Sequence, residues 1–259
     1  MNTAKPNPLK LKYPIVLIHG LGARGIYGNI EYFYGLAPLL RKAGNQTLSA
    51  NLTGWQTIAH RATELKTQIE HAFPEGKVNL VGHSMGGLDA RYLTSALGFE
   101  GRVASVTTIG TPNHGSILAD IALGIVPGIG FTATEKLMGL MGATPAAFKE
   151  FTTEYMTEDF ILKSPDISSV AYFSASSVIR GNIFTRALPL FWVPHPLISK
   201  LEGENDGFVS LESSRWGTHI CTYEGDHYAQ IGQILGRTRG MDYVCFYREI
   251  FSRLRKEGM

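Results

Sequence analysis

Residues 78–86 read Val78-Asn79-Leu80-Val81-Gly82-His83-Ser84-Met85-Gly86. An apolar, β-prone run leads straight into a serine flanked two residues away on each side by glycine, and then into a helix-forming stretch that starts near Leu88. A serine on so tight a strand-to-helix turn sits in strained backbone, where a side chain at either flanking position would collide with the adjoining strand or helix. Glycine at 82 and 86 removes that clash. Ser84 is then expected to stand exposed at the carboxyl end of its strand, next to the positive end of the following helix.

The rest of the chain repeats the strand-then-helix alternation. Short β-branched runs lie at 15–18, 47–52, 78–81, 103–109, 170–174 and 219–223. Between them, Tyr32, Leu36, Leu39 and Leu40 share one face of a helix ending before Gly44. Ile58, Ala62, Leu65 and Ile69 do the same before Pro74, and 242–255 reads as a C-terminal amphipathic helix. Such alternation predicts an α/β fold with a mostly parallel central sheet, helices on both faces and ligands meeting the carboxyl ends of the strands. With no repeat or low-complexity linker, a single domain over 1–259 is expected. One stretch departs from the rhythm. From 116 to 151 there is only apolar helical material, including Ile117, Leu118, Ile121, Leu123, Ile125, Val126, Leu137, Met138, Leu140 and Met141, punctuated by glycines and Pro127. A fixed cap over the core would account for it; a lid over an acyl pocket is the preferred reading, because the insertion leaves the 103–109 strand beside Ser84.

Composition excludes several classes. Hydrophobic residues make up 44% and charged residues 18% of 259, which is a globular balance rather than a disordered one. A net charge of +2 gives no electrostatic case for nucleic acid. Cys221 and Cys245 are too few for a disulfide framework and read as buried thiols. The stretch 13–21 is broken by Pro14 and has no small-residue cleavage site, so it reads as a first strand rather than a signal peptide. No run of about 20 apolar residues predicts a transmembrane helix. The expected location is the cytoplasm, or export without a cleavable signal peptide.

A serine hydroxyl becomes a nucleophile only when a base takes its proton, and the base needs a third group to hold one tautomer. The strand-turn-helix setting predicts the order serine, acid, histidine. His60 and His71 precede the nucleophile, His83 reads as a turn residue pointing away from Ser84, and His219 sits inside a strand pattern. His195 lies between prolines, and His114 lies in a loop that borders the site. His227, on the loop after the last strand, is the expected base. For the acid, Asp206 on the polar turn 204–209 is favoured over Glu202, Glu204 and Asp226, while Asp89 follows Ser84 too closely. The oxyanion donors are expected to be the backbone N–H of Met85 and that of Leu21, on the glycine-bearing loop His19-Gly20-Leu21-Gly22. His19 reads as structural, holding that loop.

Several stretches together resemble the bacterial triacylglycerol lipases of the Pseudomonas, Burkholderia and Proteus group. They are 14–22, Tyr32-Phe33-Tyr34-Gly35, 78–87 with Arg91-Tyr92, Gly110-Thr111-Pro112-Asn113-His114-Gly115-Ser116, Asn205-Asp206-Gly207 and Asp226-His227. The resemblance spans about 13–236. It implies an α/β-hydrolase fold, carboxylester hydrolysis, a lid helix within the insertion, and Ser84, Asp206 and His227 as a triad. It also implies a structural calcium near the histidine, with one ligating aspartate two residues after it. Here that position is Ala229, and no aspartate occurs from 181 to 205. No metal and no cofactor are therefore expected, and without a signal peptide no foldase. The expected activity is a lipase acting on medium- or long-chain acylglycerols, with contact to a lipid interface through the lid. The alternatives are a short-chain esterase or acyltransferase on the same fold and, from another class, a binding protein on an inactive hydrolase fold.

Overall fold

The computed structural model describes residues 7–28, 30–126 and 148–259. In chain order come β1 (Ile15–Ile18), a small hairpin of β2 (Ile26–Tyr27) and β3 (Ile30–Glu31), α1 (Leu36–Lys42), β4 (Thr47–Ser49), α2 (Ile58–Ala72), β5 (Val78–His83) and α3 (Met85–Ser95). Then follow β6 (Val103–Ile109), α4 (Ile117–Ala122), β7 (Ala171–Val178), α5 (Pro194–Leu201), β8 (Thr218–Glu224) and α6 (Tyr243–Lys256). Six strands form one sheet in the order β4-β1-β5-β6-β7-β8. Every pairing in it is parallel.

The sequence explains this layering. β1, β5 and β6 are buried along their whole length, as strands covered on both faces must be. Alternation along each strand sends Leu17, Val81 and Ile109 to one face, where they meet Leu36 and Leu40 of α1 and Phe246 and Ile250 of α6. Val16, Leu80 and Val106 go to the other, against Ala62, Leu65 and Ile69 of α2 and Ala90 and Leu93 of α3. The helix starts are capped by side chains: the Thr57 hydroxyl accepts from His60 N–H, and the Asp242 carboxylate accepts from Cys245 N–H.

Several boundaries differ from the pattern reading. The helix expected from Tyr32 begins only at Leu36, because Gly35 adopts φ 68° and breaks the backbone ahead of it. The 47–52 run is a strand only over Thr47–Ser49. Most consequential, α3 starts at Met85, immediately after Ser84, rather than near Leu88. Glycine is a weak helix former, but Gly86 and Gly87 are where the helix touches β1 and Thr111, and that contact overrides propensity. The insertion leaves the carboxyl end of β6 through α4. Residues 127–147, with Leu137, Met138, Leu140 and Met141, lie outside the described residues. Its two roots are pinned together: Ser116 N–H donates to Phe151 C=O (2.8 Å), and the Asp120 carboxylate accepts from Thr153 N–H (3.0 Å) and hydroxyl (2.7 Å). Among the described residues no helix is long and apolar enough to cross a membrane.

A methyl group on Gly86 would run into the carbonyl of Ile18, whereas one on Gly101 meets open space. Gly86→Ala should therefore lower stability by about 2 kcal/mol and Gly101→Ala by almost nothing. Equal urea midpoints for the two variants would contradict the close packing of α3 on β1.

Candidate active site

Ser84 occupies the junction between β5 and α3 with φ 56° and ψ −127°, a combination costly for any residue with a side chain. The surrounding chain holds it there. Ser84 N–H donates to Ile109 C=O (2.9 Å), and its own carbonyl accepts from the Thr111 hydroxyl (2.8 Å) and from Gly87 N–H (3.1 Å). The loop after β1 passes directly beside it: a side chain on Gly20 would place its first carbon 3.0 Å from Ser84 Cβ. Leu21, one residue on, packs against the apolar cluster that contains Met85 and Leu88. The two N–H groups expected to serve an oxyanion thus belong to segments that meet at Ser84.

A buried arginine fixes that loop. Arg61 of α2 donates to His19 C=O (2.6 Å), to Thr53 C=O (3.2 Å) and to the Asp89 carboxylate of α3 (2.7 Å), and both ionic side chains are fully buried. One guanidinium so joins α2, α3 and the turn after β1. Burial pushes the Asp89 carboxyl up to about 6 despite the facing arginine. His19 completes the clamp. Leu52 N–H donates to its Nε2 (2.9 Å), which fixes the proton on Nδ1, and Nδ1 donates to Gly20 C=O (2.8 Å). Burial, then the Arg61 charge, lowers the His19 pKa to about 4, so the ring is neutral in the fold.

Across the sheet, the expected acid and base come together. His227 follows β8, and Asp206 lies on the turn after α5. His227 Nδ1 donates to Asp206 Oδ2 at 2.6 Å, and His227 N–H donates to Asp206 C=O at 2.8 Å. Asp206 Oδ1 accepts from the N–H groups of Phe208 (2.9 Å) and Val209 (2.8 Å), and Oδ2 also accepts from Gln230 Nε2 (2.8 Å). The turn has its shape from Asn205, whose carboxamide oxygen accepts from Gly207 N–H (2.9 Å), and from Gly207, at φ 100°, where a side chain would strike the Phe191 ring. Phe208 stands edge-on to the His227 ring, with centroids 5.3 Å apart, and Phe191 and Tyr228 pack around it.

Most of the competing residues are occupied elsewhere or exposed. Glu204 pairs with Arg180, and Asp226 accepts from Leu188 N–H and Ala229 N–H. His219 bonds the hydroxyls of Ser174 and Thr222, His114 faces Ser213 C=O, and His60 and His71 are exposed. The reading of His83 needs correction. It is the last residue of β5, fully buried, and its ring lies 4.4 Å from that of His227. It is a strand residue rather than a turn residue, and period-two alternation places it on the face of Val81, toward Tyr32 and the His227 loop. Tyr32, His83 and Gln230 are site residues that motif reasoning did not find. The alternation of β5 was the available signal for His83; nothing local marks Gln230, whose partners Ser177 and Asp206 lie far away in sequence.

The donor set does not suit a calcium ion beside His227. Residue 229 offers only a methyl group, its N–H is taken by Asp226, and the other Asp226 oxygen is taken by Leu188 N–H. The link between 182–191 and the histidine loop is made by these bonds and by Arg239, which donates to Ala187 C=O (3.1 Å) and Phe184 C=O (3.4 Å). Among the described residues no three His, Cys, Asp or Glu side chains gather where a metal could bind.

Residues 13–129 match the family model of the alpha/beta hydrolase fold. The triacylglycerol lipase of Pseudomonas fragi is 30% identical over 96% of this chain and 98% of its own. That of Vibrio cholerae is 30% identical over 96% of this chain and 89% of its own. The chain belongs to the triacylglycerol lipase family. The Burkholderia plantarii member is 28% identical over 96% of this chain and 87% of its own. Solved folds agree: the mature Bacillus licheniformis lipase superposes with a TM-score of 0.71 at 23% identity, covering 97% of this chain and 95% of its own. The Staphylococcus hyicus lipase gives 0.70 at 17% identity and covers 99% of both chains. Membership makes this chain a hydrolase of the lipase and esterase kind, as its motifs implied.

Because His19 is kept neutral in the fold, with a pKa depressed from 6.5 to about 4, it contributes stability above its unfolded pKa that is lost as pH falls toward 4. A loss on the order of 3 kcal/mol between pH 7 and pH 4 is expected from this residue. His19→Gln should flatten that slope in urea unfolding measured across the range, and an unchanged slope would contradict the neutral, clamped imidazole.

Proposed function

We propose that the protein is a serine-dependent lipase acting on medium- or long-chain acylglycerols through an acyl-enzyme. Ser84 is the nucleophile, His227 the base, Asp206 the group that orients the imidazole, and the N–H groups of Leu21 and Met85 hold the oxyanion. The observation that carries this reading is the buried Asp206–His227 pair, on loops after later strands, whose imidazole lies 4.4 Å from the ring of His83, the residue that precedes a serine strained into a turn at the carboxyl end of β5.

In the reaction, Ser84 Oγ attacks the ester carbonyl carbon as His227 Nε2 takes its proton, and the former carbonyl oxygen gathers charge against the Leu21 and Met85 N–H groups. Collapse of the tetrahedral intermediate breaks the bond to the alcohol, which leaves with the proton from His227. Water then gives a proton to His227 and attacks the acyl-serine, releasing the fatty acid and restoring Ser84. The bond from Nδ1–H to Asp206 leaves Nε2 as the atom that takes and returns the proton. No cofactor and no foldase enter this scheme. Support for a lipid substrate comes from the names of the relatives, from the aromatic group Phe191, Phe208 and Tyr228 beside His227, and from the apolar sequence of 116–151, which we read as the lid that meets a lipid interface.

Ser84→Ala should lower turnover by a factor on the order of 10⁶ with the fold intact, and should abolish labelling by a fluorophosphonate probe. Activity retained in a folded Ser84→Ala protein refutes the mechanism.

On p-nitrophenyl esters from acetate to palmitate, medium or long chains should be preferred, with activity rising once substrate exceeds its solubility. If butyrate is the best ester and emulsions bring no rise, the insertion is a fixed cap and the protein an esterase.

A further inference from the structure

Acyl transfer makes no chemical demand on Tyr32 or His83, yet their hydrogen bonds end on the backbone of His227. The Tyr32 hydroxyl lies 2.8 Å from His83 Nδ1, and His83 Nε2 lies 3.1 Å from His227 C=O. A carbonyl can only accept, so Nε2 carries the proton and Nδ1 accepts from the tyrosine. We propose that Tyr32 and His83 form a positioning pair for the base: Tyr32 selects the tautomer of His83, and His83 fixes the main chain of His227 relative to Ser84. This rests on the reading of His227 as the base.

Geometry gives the pair a task that Asp206 cannot perform alone. The bond from His227 Nδ1 to Asp206 sets the tautomer of the base but leaves the ring a hinge about that contact. His227 sits on a loop, between Gly225 and the helical turn Ala229–Ile231. Its backbone is held on one side by its N–H, which donates to Asp206 C=O, and on the other by its C=O, which accepts from His83. His83 also precedes Ser84 in the chain. One covalent and hydrogen-bonded path from nucleophile to base therefore runs through the His83–Ser84 peptide unit and a single hydrogen bond, whereas the path through Asp206 crosses two loops.

The charge state suits the task. The His83 ring is fully buried, and its nearest titratable neighbours are Tyr32 and His227, with the Gln230 carboxamide beside them. Desolvation, then the charge on His227, drives the His83 pKa well below the usual histidine range. A neutral ring 4.4 Å from His227 leaves the base free to become a cation in the transition state; a charged one would oppose it.

Four variants test this on a soluble butyrate ester, with folding checked by thermal melting. His83→Leu should lower kcat on the order of 10²-fold with KM within about twofold, the signature of a misplaced reacting group rather than lost binding. The low-field proton resonance of His227 Nδ1–H should broaden or shift. His83→Gln, whose amide N–H can reach the same carbonyl, should recover at least about tenfold of the loss. Tyr32→Phe should lower kcat by roughly fivefold through a mixed His83 tautomer. A folded His83→Leu protein with unchanged kcat and resonance overturns the proposal; should that variant fail to fold, Tyr32→Phe with both readouts unchanged overturns it. His227→Ala separates the two readings. Retained turnover there removes the base and the positioning pair together, while its loss alongside a fully active His83→Leu removes the pair alone.

Discussion

Everything at the functional end of this protein depends on how closely β5, α3 and the loop after β1 approach one another. A side chain on Gly82 would meet the backbone of Gly86, one on Gly86 the carbonyl of Ile18, and one on Gly87 the Thr111 side chain. With those positions bare, the chain can reverse within one residue, and Ser84 absorbs the strain in its own positive φ. The turn is stable because its polar groups are matched to neighbours already fixed by the sheet: Ile109 accepts from Ser84 N–H, and Thr111 donates to Ser84 C=O. Strain of one to three kcal/mol at such a point persists only where surrounding contacts over-determine it, as they do here.

Polar groups buried around that turn divide the work of holding the two halves of the site. On the side of β1, the Arg61 guanidinium and the neutral His19 ring fix the loop that carries Leu21. Their bonds cross between α2, α3 and the 52–54 segment, so the loop cannot shift without breaking a buried ion pair, which is costly because the remaining charge would stay in the core. On the side of β8, Asp206 accepts four donors and anchors His227 twice, through side chain and backbone. His83 joins the halves.

Where the family resemblance implies a calcium site, the histidine loop of this chain is tied down by hydrogen bonds of its own side chains. Asp226 accepts two backbone N–H groups, and Arg239 donates to two carbonyls of 184–187, so the fixed charges bridging the loop and the 182–191 segment belong to side chains. Substituting Ala229 for the aspartate expected at that position is consistent with such a design, since a carboxylate there would be a buried anion with its nearest backbone donor already engaged by Asp226.

How much of this could be read from the chain follows from the range of the interactions. Gly82 to Gly86, the β-branched runs of β1, β5 and β6, and the faces of α2 and α6 are local patterns, and they identified the α/β layering, the strained serine and the direction of the sheet. Order along the chain narrowed the acid and base to Asp206 and His227, because a strand-turn-helix nucleophile fixes the sequence in which its partners must follow. Local propensity places the start of α3 three residues late, since it counts glycine against a helix and only packing on β1 and Thr111 explains why Gly86 and Gly87 are there. Tyr32, His83, Gln230 and Arg61 were invisible as a group: each acts through a partner 20 or more residues away, and only the closing of the sheet brings a tyrosine after β3, a histidine at the end of β5 and a glutamine after β8 to one place. Sequence by itself determined which elements form and which residue types can perform the chemistry; the tertiary structure alone decided which of them touch, because distance in space is set by strand order and not by position along the chain.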